Sequence, residues 1–296
     1  MNKKIRRWTT RLLIISIVIM SLTGCGNGST GTEAVTKTTL SKGQIITFGC
    51  YEQDGDIDNG KEPIKWQVLD VDDGKALLVS NNIIDSVEYN ESTGIYGNEE
   101  TESSPWSSSY IFEWLNNDFM TTAFSSEEIS LIQDTTDYSL SNPEIIGSVF
   151  LLSYEEIQKY YNLKTVTLTN YYNKSEYQCS FANELLCEPT EYALSKKIDS
   201  GELTEDSIKI LTDEGFEIDS TYAGKTYAGY WLRSSLNWDS WFTAEGHALI
   251  VQQDGTIELD VASLDNMKTN ENGIRPCVWI NTDGADKYVT IENIEN

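Results

Sequence analysis

Only two arginines, Arg233 and Arg275, stand beyond the first eleven residues, against fourteen lysines in the same stretch. A guanidinium is a planar fork of five donors that binds several carbonyls and carboxylates at once, which an ammonium cannot copy. Two chemistries follow for this pair: pinning loops from a partly buried position, or holding an anionic ligand. Around Arg233 the stretch from Tyr222 to His247 gathers Tyr222, Tyr227, Tyr230, Trp231, Trp238, Trp241 and Phe242, with Asn237, Asp239 and Glu245 between them. Trp238 and Trp241 fall where neither helical nor strand periodicity holds. Aromatic faces beside amides and carboxylates suit sugar rings, which offer C–H faces to stack and hydroxyls to bond, and they suit protein partners equally. The bland alternative is that these rings pack their segment onto a sheet.

Other reactive residues are sparse. His247 is the only histidine, so a zinc enzyme lacks ligands and a serine triad would depend on this one residue. GxSxG, Walker and GxGxxG motifs are absent. Asp54-Gly55-Asp56-Ile57-Asp58-Asn59-Gly60 has the density of acids of a calcium loop, but the EF-hand pattern wants Gly sixth and Glu twelfth, where this chain has Asn59 and Lys65. It reads as a solvated hairpin tip, with weak surface binding of divalent cations as the remaining role. Cys50, Cys179, Cys187 and Cys277 form no CxxC motif, which argues against a zinc ribbon or a thioredoxin-like site; three disulfide connectivities, or free thiols, are open to them. No cofactor and no metal site is expected.

The 296 residues carry 21 Lys+Arg against 47 Asp+Glu, a net charge of -26. Five of the basic residues lie in the first eleven positions, so the remainder has 16 against 47, or -31. Such a body has no basic footprint for a phosphate backbone, which excludes nucleic acid as partner. With 39% hydrophobic and 11% aromatic residues it is also too apolar for a disordered acidic chain. The basic residues are followed by an apolar run, Leu12 to Leu22, and by Leu22-Thr23-Gly24-Cys25. This is the layout of a secretory signal, and its last four residues resemble the bacterial lipobox, in which Cys25 takes a diacylglycerol and becomes the mature N-terminus. The apolar run is shorter than the ~20 residues that span a bilayer. The expectation is a signal peptide over 1–24, a lipidated flexible linker over 25–41 and a body held by two acyl chains on the outer face of the cytoplasmic membrane.

In the body, Ile45–Phe48, Ile64–Leu69 and Ala76–Val79 alternate or cluster as three strands of an antiparallel meander. Ile111, Trp114, Leu115 and Phe119 fall on one helical face within Trp106–Phe124. Ser125-Ser126-Glu127-Glu128 and Ser153-Tyr154-Glu155-Glu156 are capping boxes. Val149–Leu152 and Tyr230–Leu232 read as strands, Ala248–Gln252 and Thr256–Leu259 as a hairpin about Gln253-Asp254-Gly255, and Cys277–Ile280 as the last strand. Residues from Asn162 to Tyr227 show no clear strand and read as an insertion. The pattern as a whole is a single α+β domain, with helices packed on a mostly antiparallel, twisted sheet.

Trp106-Ser107-Ser108-Ser109-Tyr110-Ile111, Trp114-Leu115-Asn116, Val149-Phe150-Leu151-Leu152-Ser153 with Glu156, Trp231-Leu232-Arg233-Ser234 and Gly273-Ile274-Arg275-Pro276 with Trp279 resemble, in order and spacing over most of residues 43 to 281, the bacterial family of domain of unknown function 6273. That family is similar to the formylglycine-generating-enzyme branch of the C-type-lectin-like fold. The resemblance implies a compact α+β domain with paired N- and C-terminal strands and long irregular loops, placed here over 42–282 around the insertion at about 162–227, with a tail over 283–296. It gives Trp106, Trp114, Trp231, Arg233 and Arg275 structural roles and implies no established activity. If the terminal strands pair so, Cys50 and Cys277 would face each other, and Cys179 with Cys187 would close a short loop. Phe112 departs from the Arg usual in the family, and the insertion is long. The metal and cysteine pair of the formylglycine chemistry do not map here, so the fold does not carry the reaction. The leading expectation is a non-catalytic surface domain binding glycan or a protein partner through Trp238, Trp241, Asn237 and Asp239. The alternatives are an extracellular hydrolase of wall or host polymers with paired carboxylates, and a purely structural surface protein.

Overall fold

Strands β1 (Ile45–Tyr51), β2 (Glu62–Asp72) and β3 (Lys75–Ser80) form the expected meander. The structure is a computed structural model, and it describes residues 39–90, 106–135, 146–170, 174–234, 247–259, 265–266 and 271–292. Asp73 and Gly74, both at positive φ (41° and 75°), make the two-residue turn between β2 and β3. Two left-handed central residues give the twist that matches paired strands, which is why Asp-Gly sits there. Ile64, Trp66 and Val68 turn to one buried face while the residues between them stay more exposed. β3 is buried at every position after Lys75 and lies inside the sheet.

Ser109 caps α1 (Tyr110–Trp114), accepting from Phe112 N–H at 3.3 Å. The helix continues through a π-helical stretch, Leu115–Phe119, into α2 (Met120–Ala123). Ile111, Trp114, Leu115 and Phe119 are all buried, as their spacing predicts. Phe119 stacks on Trp114 (5.6 Å between ring centres) and tilts against Tyr51 (5.2 Å), while Phe124 meets Phe48 at 5.1 Å. The helix is thus laid over β1 by aromatic contacts. The capping boxes of α3 (Ser126–Ile129) and α4 (Tyr154–Tyr160) are both formed.

β4 (Val149–Phe150) is the edge of the main sheet, and the stretch after α4, read as lacking strands, contains four. β5 (Lys164–Thr169) pairs with β6 (Glu176–Phe181) over six residues; beyond α5 (Glu191–Ser195), β7 (Ser200–Glu202) pairs across α6 (Glu205–Asp213) with β8 (Thr226–Ala228). β5 escapes a periodicity reading because it offers only Val166 and Leu168 among threonines and stands at a sheet edge, largely exposed. Threonine is a good strand former without being an apolar signal. Val166 and Leu168 face a second, smaller core of Phe181, Leu186, Leu203, Leu211, Phe216 and Tyr227.

β9 (Tyr230–Trp231), β10 (His247–Ala248), β11 (Ile250–Val251), β12 (Thr256–Leu259), β13 (Asp265–Asn266), β14 (Cys277–Asn281) and β15 (Thr290–Ile291) complete the described strands. The turn at Gln253-Asp254-Gly255 is tight, with Gly255 N–H donating to Gln252 at 2.9 Å, yet its arms separate: β11 pairs with β9 and β12 with β6. The main sheet has the order β15-β1-β2-β3-β14-β4, and every pairing between named strands is antiparallel. Residues 283–292, read as tail, make a 3-10 turn and then β15, which pairs with β1 through Ile46 and Ile291. The fold is therefore mixed α/β, with several antiparallel sheets and few helices.

This topology corrects the cysteine geometry. Cys50 lies on β1 and Cys277 on β14, with β2 and β3 between them. Three strand spacings amount to ~14 Å, about twice what a disulfide bridges. Cys277 instead faces Val79 and Phe150, and Cys179 and Cys187 belong to different cores. No disulfide joins any two of these four cysteines.

Candidate functional site

The aromatic stretch 235–246, with Trp238, Trp241, Asn237 and Asp239, lies outside the described residues, as does Cys25. The structure does define the root from which that stretch leaves and to which it returns. β9 leads out and β11 leads back, paired as Trp231 with Ile250 and Tyr230 with Val251. Beyond them Leu232 N–H donates to Leu249 O and Leu249 N–H to Ser234 O, both at 2.9 Å. His247 continues the return through backbone pairing with Asn266. The two ends are therefore zipped together.

Side chains from three elements clamp the root. Trp231 is fully buried; its indole N–H donates to Val87 O at 3.3 Å, and its ring stands edge-on to Tyr89 at 5.5 Å. Tyr89 returns a hydroxyl bond to Arg233 O at 3.2 Å. Arg233 Nη1 donates to Leu151 O at 2.8 Å and pairs with the Glu156 carboxylate, and the guanidinium lies 5.6 Å from the centre of the Phe150 ring. Glu156 Oε2 also accepts from Ser153 N–H at 2.9 Å, so one oxygen closes the capping box of α4 and holds the arginine. Ser234 Oγ accepts from Tyr154 N–H at 2.9 Å, tying the next residue to the same helix start.

The other structural tryptophans flank this clamp. Trp106 donates to Ile146 O at 2.9 Å and meets Phe112 edge-on at 5.6 Å, so a ring contact stands where the resemblance would put an arginine. Trp114 is buried under α1. Arg275 is buried beside the end of β3: its Nε donates to Ser80 O at 3.1 Å and its Nη1 to Glu184 O at 3.3 Å and to the Tyr230 hydroxyl at 3.1 Å.

Three carboxylates, of Glu52, Asp54 and Glu62, place one oxygen each within 4.8 Å of one another and are the one group among the described residues with a geometry that could hold a cation. They belong to the β1–β2 hairpin tip, as the sequence predicts, and are knit by its backbone: Glu62 accepts from Gln53 N–H at 2.7 Å and Glu52 from Gly55 N–H at 2.7 Å. The Glu52 carboxyl is raised, first by partial desolvation and then, beyond the lowering Gly55 bond, by the charges of Glu62 and Asp54. Asp54 is lowered by its bonds from Asn59 and Asp56. The trio is only partly covered, on a loop rather than in a cleft, which does not favour glycosidic chemistry between paired acids.

Sequence reasoning missed Asp85. It is 4% exposed, accepts a 2.5 Å bond from the Tyr51 hydroxyl and a 2.7 Å bond from Ser86 N–H, and lies opposite Ile274 in a bridge beside Arg275. A lone acid in Ile83-Ile84-Asp85-Ser86 carries no local mark, because its partner is 34 residues away. Burial raises its carboxyl, against the opposing effect of those two donors and of Lys196. An acid whose folded value lies above its unfolded one, about 3.9, adds stability in full below that value and loses it as pH rises through the folded value. Wild type should therefore lose stability relative to Asp85→Asn as pH rises from about 4, as read by urea midpoints. A flat or opposite difference would show that Asp85 is not raised.

The chain matches no curated protein and no solved structure. Residues 73–282, which include α1 through α6, the Arg233 clamp and Arg275, match a sequence family, and the chain belongs to it: the family described as Domain of unknown function (DUF6273).

Proposed function

We propose that the chain is a bacterial lipoprotein, anchored through Cys25 on the outer face of the cytoplasmic membrane, whose C-type-lectin-like domain binds a glycan or a surface protein without catalysis. The observation that carries the reading is the root of segment 235–246. Its two ends are zipped by β9 and β11 and clamped by Trp231, Arg233 and Ser234. A segment rich in Trp and polar side chains, held at both ends by a rigid sheet, is the arrangement in which loops carry recognition. Trp238 and Trp241 supply faces for sugar rings or apolar anchors, and Asn237 and Asp239 supply amide and carboxylate bonds to hydroxyls. No helix among the described residues is long and apolar enough to cross a membrane.

Anchoring is tested by Cys25→Ala, which should release the protein into the medium or block its processing; unchanged membrane association would contradict the lipid anchor. Recognition is tested by pull-down with the full chain from wall glycans and surface proteins. Replacing both Trp238 and Trp241 with Ala should weaken the captured complex at least tenfold, as loss of aromatic anchors does. Equal capture by the variant would contradict the assignment.

A further inference from the structure

The dipeptide Asn-Gly occurs twice among the described residues, as Asn59-Gly60 and Asn272-Gly273, and the fold treats the two in opposite ways. In such a pair the backbone nitrogen of the glycine can attack the side-chain amide carbon of the asparagine, since no Cβ stands beside that nitrogen. The attack needs room for the two atoms to approach, a nitrogen whose proton is not already engaged, and water to complete the reaction.

Asn272-Gly273 is closed to it. Asn272 is 2% exposed, and Gly273 N–H donates to Gly229 O at 2.8 Å while Gly273 O accepts from Trp231 N–H. Ile83 packs against the same backbone and leaves no space beside Gly273. Asn59-Gly60, at the tip between β1 and β2, is open. Both residues are exposed, and Gly60 N–H donates to no acceptor among the described residues. Gly60 has φ 103°, and a Cβ built on it would meet nothing within 4 Å. Asn59 is held in the turn by its N–H, which donates to Asp56 O at 3.1 Å, and by its Nδ2, which donates to Asp54 Oδ2 at 2.8 Å. The second bond joins exposed groups, so water competes for both ends of it.

We infer that Asn59 is a site of spontaneous deamidation in the folded chain, through a succinimide closed by the Gly60 nitrogen. The Gly60 N to Asn59 Cγ bond forms, the Cγ–Nδ2 bond breaks, and the proton of the attacking nitrogen leaves with the amide group as ammonia. Water then opens the ring at either carbonyl. The net change is asparagine plus water to aspartate or isoaspartate plus ammonia, with no oxidant, metal or cofactor. The new carboxyl is ionised at neutral pH, so the tip gains one negative charge. That charge takes the place of the amide that does most to hold the Asp54 carboxyl below its ordinary range, and it faces Asp54 as a like charge.

The test ages the full chain in mildly alkaline buffer made with oxygen-18 water and follows each Asn-Gly peptide by mass, with the same chain in guanidinium chloride as the unfolded reference. In the folded chain Asn59 should convert to a mixture of aspartate and isoaspartate carrying one solvent oxygen. It should do so at least about tenfold faster than Asn272, which has to wait for local opening of its surroundings. In guanidinium chloride the two sites should convert at similar rates, because the chemistry of the pair is then the same. Asn27-Gly28 lies outside the described residues, so the separate peptides, and not the charge of the whole chain, give the result. Equal rates at Asn59 and Asn272 in the folded chain, conversion of Asn59 only in guanidinium chloride, or aspartate formed without isoaspartate would overturn the inference.

Discussion

Glu156→Ala should lower stability by about 3 kcal/mol or more, the scale of removing one partner from a largely buried ion pair. The carboxylate does two jobs with one oxygen. It accepts Ser153 N–H at the start of α4, and it pairs with Arg233, whose side chain is only 8% exposed against 22% for Glu156. Truncation therefore loses the reciprocal half of a capping box and takes the carboxylate away from a covered guanidinium that also contacts Leu151 O and the Phe150 ring. Glu156→Gln separates the two losses. Glutamine serves equally at the third position of a capping box, so its cost reports the charge alone and should be clearly smaller. Urea midpoints of the two variants, with Arg233→Met to close a double-mutant cycle, measure the coupling. Additive effects of Glu156→Ala and Arg233→Met would contradict the clamp.

Trp231→Ala should cost about 3–5 kcal/mol, the range for emptying a buried tryptophan site. The ring is wholly buried, donates to Val87 O and packs edge-on against Tyr89. Its backbone N–H donates to Gly273 O at 3.1 Å, and Gly273 is packed so closely that a Cβ there would sit 2.2 Å from Ile83 Cγ2. The surroundings are fixed backbone and branched side chains, which collapse poorly into a void. For a domain with a typical stability of about 5–15 kcal/mol, that loss removes much of the margin. Trp231→Phe keeps an aromatic edge contact and gives up the indole bond, so it should cost less than half as much. A near-neutral Trp231→Ala in thermal and urea unfolding would show that β9 is not a structural root of the segment it leads into.

What could be read from the residues alone followed the range of each signal. The β1–β3 meander and both capping boxes are local: alternation, a two-residue turn and a four-residue motif contain their own explanation. The Asp254-Gly255 turn was equally local, but which strand each arm joins is decided by β9 and β6, tens of residues upstream. β5 stayed hidden because threonines at an exposed edge build a strand without apolar contrast. β15 carries only two paired residues and owes its place to β1. The candidate site divides the same way. The composition of 222–247 singled out the segment, whereas the clamp beneath it rests on pairs such as Arg233 with Glu156, 77 residues apart, and Arg275 with Ser80, 195 apart. The pairing proposed for Cys50 and Cys277 failed because it placed β14, rather than β15, beside β1.

The central claim is that segment 235–246 is a recognition surface mounted on a rigid root, and a glycan array read together with surface-protein capture tests it most directly. The full chain should give at least one reproducible, saturable ligand, and Trp238→Ala, Trp241→Ala should lose that ligand while keeping the wild-type unfolding midpoint. Undiminished binding by the double variant, or no ligand for the wild-type chain, would contradict the account.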